Sequence, residues 1–461
     1  MRIRRSRTTR LVALAATATV SLTALTACGG SSGSDDDKTL EMWTFKQSHA
    51  AGLKAAAKDF EKETGIKVDV EVYTPDDAFV TKIQSSAKTG DLPDVMETHS
   101  DGEDLAFGVS GIARQLKDVA DDEWLARFPE GGVRESGFVT PAKFKENAAK
   151  TAKAYGVKEG DRYSIPFTVG TFGIVYANKQ KLAEAGITEA PATWDDFTAA
   201  LEKTTGKDPK GGGLGLGLKV PDTGLTWVAQ PLAYSMLGRD GYEALFSQDE
   251  SVNWASPNGT KVLEKYDELT PYWTPGSQSL TIDEADQAFA QGKSAFLVGG
   301  TFTLSFLEQN GMDPDDVLAF GLPPVQDGEV ADLKLGPLAL TNLVLSATSD
   351  RPDDAEKWAR YLSEKNVATK FAQASSDLPA ADLGDGADAA VGPALAAMLE
   401  TFEGTEEQTY DPQRKGYFPP GYEQDKEATV LTKLSPLKEL SPEEAGKEMA
   451  ELNDNYWEAN S

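Results

Sequence analysis

The sequence is poor in the residues that disulfides, metal sites and histidine chemistry need. Its 461 residues include one cysteine and two histidines, so no disulfide forms within the chain and no cysteine-based zinc site is expected. Basic residues are outnumbered, with 45 Lys and Arg against 74 Asp and Glu and a formal net charge of −29. A surface this negative repels phosphates, so we expect no nucleic-acid partner. We also expect no cofactor and no metal ion.

The remaining composition is that of a globular protein. Hydrophobic residues make up 40% of the chain and aromatic residues 9%, which is too much for a disordered acidic chain. The length suggests two or three domains. After the first 30 residues no apolar run is long enough to suggest a membrane-spanning helix.

The first 27 residues differ from the rest of the chain. Five arginines and no acidic residue precede an apolar, small-residue stretch at positions 11–25. This order is typical of a secretory signal peptide, and the stretch is too short for a convincing membrane-spanning helix. The signal ends in the sequence LTACG at positions 25–29, which resembles the lipobox of bacterial lipoproteins.

The lipobox resemblance implies cleavage before Cys28, a lipid on Cys28, and a body held at the extracellular face of the cell membrane. Residues 28–38 then form the lipidated cysteine and a flexible, charged tether. The alternative is an ordinary secretory signal (residues 1–27) followed by a chance cysteine.

From Thr39 onward the pattern alternates between strands and helices. Hydrophobic periodicity predicts a strand at 40–43, a helix at 50–63, a strand at 66–72, a helix at 77–89 and a strand at 94–97. Further strands are predicted near 164–167, 173–176, 295–298 and 342–346, with Thr193 as the N-cap of another helix. Alternation of this kind predicts an α/β fold with mostly parallel sheets flanked by helices.

Several short motifs in this order resemble the extracellular solute-binding proteins of ABC importers, in the sugar-binding branch that includes maltose-binding protein. The motifs are LEMWTF at 40–45, KDFEKETGIKVDVEV at 58–72, TGDLPDV at 89–95, YSIP at 163–166 with VYANK at 175–179, ATWDDF at 192–197, FAQGKSAF at 289–296 with GGTF at 299–302, and GLPP at 321–324. Each motif alone is weak evidence for this family, but their occurrence in the same order over residues 39–380 is specific to it. The last eighty residues match less clearly.

The resemblance implies a two-lobe fold with a hinge that the chain crosses about three times, near residues 167–172, 317–321 and 376–379. The expected N-terminal lobe comprises residues 39–167 and 321–377, and the expected C-terminal lobe residues 168–320 and 378–461. It further implies that a monomer captures a sugar between the lobes and delivers it to permease and ATPase subunits, which are separate chains. No enzymatic activity is expected.

The resemblance also suggests ligand-binding residues. Sugars pack their C–H faces on aromatic planes and need hydrogen-bond partners for their hydroxyls. By position, the candidates are Gln47, Ser48, Thr98, Asp101, Thr168, Trp227, Gln230, Gly300 and Phe302. Phe302 matches a stacking tryptophan of the family, and the glycines before it allow close approach of a ligand to the backbone.

Two other classes of function remain open. A secreted carbohydrate-active enzyme would use a pair of carboxylates. A chain with 74 acidic residues contains such pairs whatever its function, so their presence does not distinguish an enzyme from a binding protein. A surface adhesin or structural lipoprotein would have no deep cleft and no small-molecule ligand.

Overall fold

The first part of the body folds as alternating strands and helices, as the hydrophobic periodicity predicts. The computed structural model describes residues 39–74, 76–100, 102–148, 150, 152–384, 386–414 and 416–459. The predictions for the signal, Cys28, the tether and Asp101 therefore lie outside the described residues. From Thr39 onward the chain forms one compact unit.

The strands are β1 (Thr39–Thr44), β2 (Lys67–Val72), β3 (Val95–His99), β4 (Ile165–Gly170), β5 (Phe172–Asn178), β6 (Leu214–Gly215), β7 (Phe296–Gly300), β8 (Val317–Gly321), β9 (Lys334–Leu335), β10 (Leu338–Leu345) and β11 (Thr409–Tyr410). The helices are α1 (His49–Thr64), α2 (Asp76–Thr89), α3 (Glu103–Val109), α4 (Asp122–Leu125), α5 (Pro141–Glu146), α6 (Lys179–Glu184), α7 (Trp194–Lys207), α8 (Asp222–Gly224), α9 (Gln230–Ala244), α10 (Pro257–Asp267), α11 (Ile282–Ala290), α12 (Thr303–Gln309), α13 (Pro352–Leu362), α14 (Lys365–Ser375), α15 (Ala387–Val391), α16 (Pro393–Glu400), α17 (Gln424–Leu434) and α18 (Pro442–Ala459).

Two sheets hold the longer strands. The first has the order β2-β1-β3-β10-β4, in which β1 runs parallel to β2 and β3 while β10 runs antiparallel to β3 and β4. The second has the order β6-β7-β5-β8, in which β6 and β7 are parallel and β5 is antiparallel to both of its neighbours. In each sheet, therefore, one strand runs against the others, and the expected α/β fold is confirmed.

Local sequence signals account for the helix boundaries. In α1 the apolar stripe is buried, and Gly65 follows in the left-handed region at φ +75°, where its N–H donates to the Glu61 carbonyl over 2.8 Å. At α7 the Thr193 hydroxyl accepts a 3.2 Å hydrogen bond from the Asp196 N–H, as expected for an N-cap. A π-helical segment, Leu225–Ala229, runs directly into α9.

The chain passes from one sheet to the other over very few residues. Only Thr171 separates β4 in the first sheet from β5 in the second. Next to this crossing, Val169 N donates to Leu378 O over 2.9 Å and Ala380 N donates to Phe167 O over 2.8 Å. Two of the predicted hinge segments therefore lie side by side, although the lobe limits themselves stay predictions.

Candidate ligand cleft

Three aromatic rings meet at the edge of the second sheet. Phe172, at the start of β5, stacks on Trp227 with ring centroids 5.2 Å apart and an interplanar angle of 3°. Phe302 stands edge-on to both rings, at 6.4 Å from Phe172 and 6.3 Å from Trp227. Phe172 and Phe302 stay partly exposed, so the cluster offers apolar ring surface of the kind that sugar C–H groups pack on.

The glycine at position 300 makes room for the Phe302 ring. A Cβ on Gly300 would lie 2.3 Å from one ring carbon of Phe302 and 2.7 Å from the next, which is far inside van der Waals contact. The absence of a side chain at Gly300 therefore allows the Phe302 ring to occupy this position, in addition to any contact that the Gly300 backbone makes with a ligand.

We predict that Gly300→Ala displaces the Phe302 ring and lowers the free energy of unfolding by about 1–3 kcal/mol, as overpacking does. Urea unfolding measures the change. Gly206→Ala is the matched control, because a Cβ at Gly206 meets nothing within 4 Å. Equal stability of Gly300→Ala and the wild type would contradict the prediction.

The loop after β1 lies opposite this aromatic cluster. Lys46 Nζ is 5.6 Å from the centroid of the Phe302 ring, so the loop and the second sheet approach each other here. Gln47 is exposed and Ser48 half-buried next to Lys46. The structure therefore brings three of the predicted site residues, Gln47, Ser48 and Phe302, to the same region.

Behind Lys46 lies a buried cluster of an imidazole and two carboxylates. The His49 ring has no exposed surface, and its Nδ1 lies 2.8 Å from Glu97 while its Nε2 lies 2.9 Å from Asp377. Because both ring nitrogens face carboxylate oxygens, both carry protons and the imidazole is a cation. Lys46 Nζ is 3.3 Å from Asp377, so two positive and two negative charges balance.

Electrostatics favour the charged form of every member of this cluster. Burial by itself lowers the pKa of His49, but the Glu97 carboxylate and hydrogen bonds to Asp377 and Glu97 outweigh it, so the pKa is raised. Burial raises the pKa of Glu97, but His49 and Lys46 bring it below its usual value. The pKa of Asp377 is lowered in the same way, with Lys46 and His49 outweighing burial.

A cavity of about 290 Å³ lies farther along α9 and is lined by residues of both expected lobes. Its aromatic wall consists of Tyr234, Tyr242, Phe402, Tyr410 and Tyr417. Gln230 contacts this wall, because its Oε1 accepts a 2.8 Å hydrogen bond from the Tyr410 hydroxyl. Gln230 precedes Tyr234 by four residues, so the two side chains share one face of α9. Trp227 of the three-ring cluster lies three residues before Gln230, in the π-helical segment.

Both arginines that line the cavity are paired with glutamates. Arg239 lies 2.8 Å from Glu406, and Arg414 lies 2.8 Å from Glu243 and 3.4 Å from Glu406. Neither arginine therefore offers an uncompensated positive charge. The lining is aromatic and polar, and it includes two further acidic residues, Glu130 and Asp411.

Four more predicted site residues are buried. Thr98 has no exposed surface, and its Oγ1 has no hydrogen-bond partner among the described residues. Thr168 is equally buried, with its Oγ1 2.7 Å from Thr341 Oγ1. Trp227 is 5% exposed and Gln230 is 1% exposed, so both stand at the back of the cleft wall.

Sequence reasoning missed several residues that shape this region. Phe172 is the first residue of a strand, and an aromatic residue at such a position gives no signal of its own. The cavity tyrosines form two groups, Tyr234 with Tyr242 and Tyr410 with Tyr417, which are more than 160 residues apart in the chain. Only the fold brings Tyr234 beside Tyr410. Lys46 directly precedes the predicted Gln47 in the chain. Only its distance to the Phe302 ring identifies it as a residue of this region.

The model of the family described as bacterial extracellular solute-binding protein matches residues 46–368, well over half of the chain. The chain belongs to this family. The resemblance inferred from the sequence motifs is thereby confirmed.

Similar solute-binding proteins include the diacetylchitobiose-binding protein DasA of Streptomyces coelicolor (strain ATCC BAA-471 / A3(2) / M145). It is 25% identical over 367 residues, which are 76% of this chain and 77% of DasA. A solved structure from work on xylan utilisation by Caldanaerobius polysaccharolyticus is 20% identical with a TM-score of 0.65, covering 90% of this chain and 99% of the other. The GacH receptor of Streptomyces glaucescens GLA.O, solved unliganded and with acarbose, is 20% identical with a TM-score of 0.60, covering 91% and 98%.

These solved structures establish that the solute-binding protein has the mixed α/β, two-domain fold of the family. In the part of the chain that the structure describes, no helix is both long and apolar enough to cross a membrane.

Proposed function

We propose that the chain is the lipid-anchored substrate-binding component of an ABC importer and that it captures a sugar or short oligosaccharide between its two lobes. The observation that carries this proposal is the cluster of Phe172, Trp227 and Phe302 facing the loop of Lys46. Ring faces on one side and polar groups on the other match the two kinds of partner that a sugar needs. DasA is named as a binding protein for diacetylchitobiose, and GacH was solved in complex with acarbose. Both similarities support the same substrate class.

The remaining parts of the proposal follow from the sequence and the family. Cys28 carries the lipid, so the body stays at the extracellular face of the cell membrane. The protein acts as a monomer, performs no covalent step, and hands its solute to a permease driven by a cytoplasmic ATPase. The nine predicted ligand residues, from Gln47 to Phe302, are part of this proposal, with the limits of the two lobes as stated above.

The central test is thermal unfolding of residues 29–461, which lack Cys28, against a panel of mono- and oligosaccharides with amino acids, oligopeptides and polyamines as other solutes. A ligand at 100 times its Kd is expected to add about 2.7 kcal/mol of stability. We expect one saccharide to give such a shift and to be recovered unconsumed. A shift with a non-carbohydrate alone would contradict the sugar assignment, and consumption of a glycoside would favour an enzyme.

We further predict that Phe302→Ala weakens binding of that saccharide at least tenfold, or by about 1.4 kcal/mol, because buried aromatic contacts dominate such interfaces. Calorimetric titration measures the change. Phe306→Ala is the matched control, since Phe306 lies one helical turn farther on, is half-buried and does not belong to the ring cluster. Unchanged affinity of Phe302→Ala would remove Phe302 from the site.

A further inference from the structure

One surface of the body differs from the rest in both charge and exposed aromatic content. Phe144 is 42% exposed and Tyr155 is 48% exposed, and among the described residues they are the aromatic members of the exposed large hydrophobic set. The same stretch of chain carries the exposed lysines Lys145, Lys150, Lys153 and Lys158. We call these six residues the basic face.

The charge of the basic face opposes that of the whole chain. Residues 141–158 contain five lysines and one acidic residue, Glu146, whereas the chain carries a net charge of −29. The fifth lysine, Lys143, turns inward, and its Nζ donates to the Glu135 carbonyl over 3.2 Å. The four exposed lysines outnumber the exposed acidic residues Glu146 and Glu159, so this segment is net positive on a protein that is otherwise strongly negative.

Backbone hydrogen bonds hold the two parts of the basic face together. Val139 N donates to Asp161 O over 2.7 Å, and Gly160 N donates to Val139 O over 2.9 Å. Helix α5 begins two residues after Val139, so it lies beside the turns that precede Gly160. Tyr163 N donates to Gly137 O over 2.9 Å, which places both parts next to the amino end of β4.

The amino end of β4 points to the side of the sheet at which the body begins. Strands β1 and β4 run in the same direction, because β10 is antiparallel to both β3 and β4 while β3 is parallel to β1. The two amino ends therefore point to the same side of the sheet, three strand spacings or about 15 Å apart across it. The register places Ile165 level with Thr44, so Thr39 lies five residues farther toward that side. The opposite edge carries Lys46 and the hinge crossing at Thr171.

We propose that the basic face docks the body on an anionic phospholipid surface, with the cleft at the far edge of the first sheet left open to solvent. The proposal rests on the proposed function in one respect, since the lipid on Cys28 brings the body to the membrane. Residues 29–38 join that lipid to Thr39, at the amino end of β1, which points to the same side of the sheet as the amino end of β4.

Charge and aromatic content both favour a lipid surface as the occupant. A lysine near an anionic bilayer strengthens binding about fivefold, and aromatic rings with one apolar and one polar side are favoured at membrane interfaces. The acidic remainder of the body is screened beyond a Debye length of about 10 Å, so it opposes docking weakly.

The test is co-sedimentation of residues 29–461, which contain the whole compact unit, with vesicles of phosphatidylcholine alone or with about 30 mol% phosphatidylglycerol at about 0.1 M salt. We expect at least tenfold stronger partitioning onto the anionic vesicles. Lys145→Glu, Lys150→Glu and Lys153→Glu together are expected to reduce that partitioning more than 100-fold, and Phe144→Ser to reduce it severalfold.

A matched triple variant separates the basic face from net charge. Lys203→Glu, Lys207→Glu and Lys210→Glu change the charge by the same amount at exposed positions in and just after α7, and we expect them to leave partitioning within twofold of the wild type. Equal losses in the two triple variants, or no preference of the wild type for anionic vesicles, would overturn the proposal. Since the assay contains neither sugar nor Cys28, failure here leaves the saccharide melt as an independent test of the proposed function.

Discussion

His49→Leu is expected to lower the free energy of unfolding by about 3–5 kcal/mol near pH 6, because it leaves two buried carboxylates without their shared cation. Glu97 and Asp377 have no exposed surface, and His49 is the group that contacts both. Lys46 reaches Asp377 alone, at 3.3 Å. Chemical unfolding at pH 6 measures the loss.

The pH dependence of stability tests the same cluster in a second way. The pKa of His49 is raised above its ordinary value of 6.5, so its stabilising contribution is complete below about pH 6.5 and is lost as the pH rises through the folded pKa. The pKa values of Glu97 and Asp377 are lowered from 4.5 and 3.8, so their contributions are lost only as the pH falls through the lowered values. We therefore expect the cluster to be most stabilising between about pH 4.5 and 6.5.

Two variants distinguish loss of the cation from loss of packing. Glu97→Gln combined with His49→Leu should cost less than the sum of the two single changes, since the double variant removes one of the uncompensated charges. Lys46→Met should cost less than His49→Leu, because the Lys46 side chain keeps 16% exposure and a partly solvated charge. A His49→Leu protein whose stability declined above pH 6.5 as steeply as that of the wild type would contradict the assignment.

The histidine cluster also shows what the sequence could not predict. Glu97 is 48 residues from His49 and Asp377 is 328 residues from it, so no spacing in the chain signals their contact. The elements themselves were predictable, because the period of β2 and the Gly65 stop of α1 are local signals. Even so, the reversed direction of β5 and β10 follows from crossings between the sheets, which periodicity does not report.

A sequence motif can indicate which residue lies near the candidate site. It cannot indicate whether the side chain of that residue is exposed or buried. Phe302 follows a glycine pair, and its partly exposed ring lies beside those of Phe172 and Trp227. Thr98 is a candidate because it follows the predicted third strand, and Thr168 because it lies at the first predicted hinge crossing. Both residues lie within strands, and both side chains turn into the protein interior. The direction of a side chain at a strand end depends on register, and a one-residue shift reverses it.

A second large effect is expected at a buried carboxylate in the C-terminal helices. Glu427 on α17 is 1% exposed and accepts hydrogen bonds from the Tyr422 hydroxyl and, over 3.2 Å, from Asn453 Nδ2. Neither partner is a cation, and burial raises the pKa of Glu427 from 4.5 to about 7 despite these bonds. The contribution of Glu427 to the free energy of unfolding is therefore complete below about pH 4.5 and is lost as the pH rises through about 7.

Glu427→Gln is accordingly expected to stabilise the protein by about 3 kcal/mol at pH 8 and to change little at pH 4.5, because glutamine stays neutral where glutamate is forced to ionise. Its amide keeps an oxygen for Asn453 and places an N–H toward the Tyr422 oxygen. Thermal unfolding from pH 4.5 to 8.5 measures the difference, with Glu443→Gln, at an exposed position on α18, as the control. The decline caused by His49 above pH 6.5 should persist in this variant, so the two groups can be separated. Equal stability of Glu427→Gln and the wild type at pH 8 would mean that Glu427 ionises without cost.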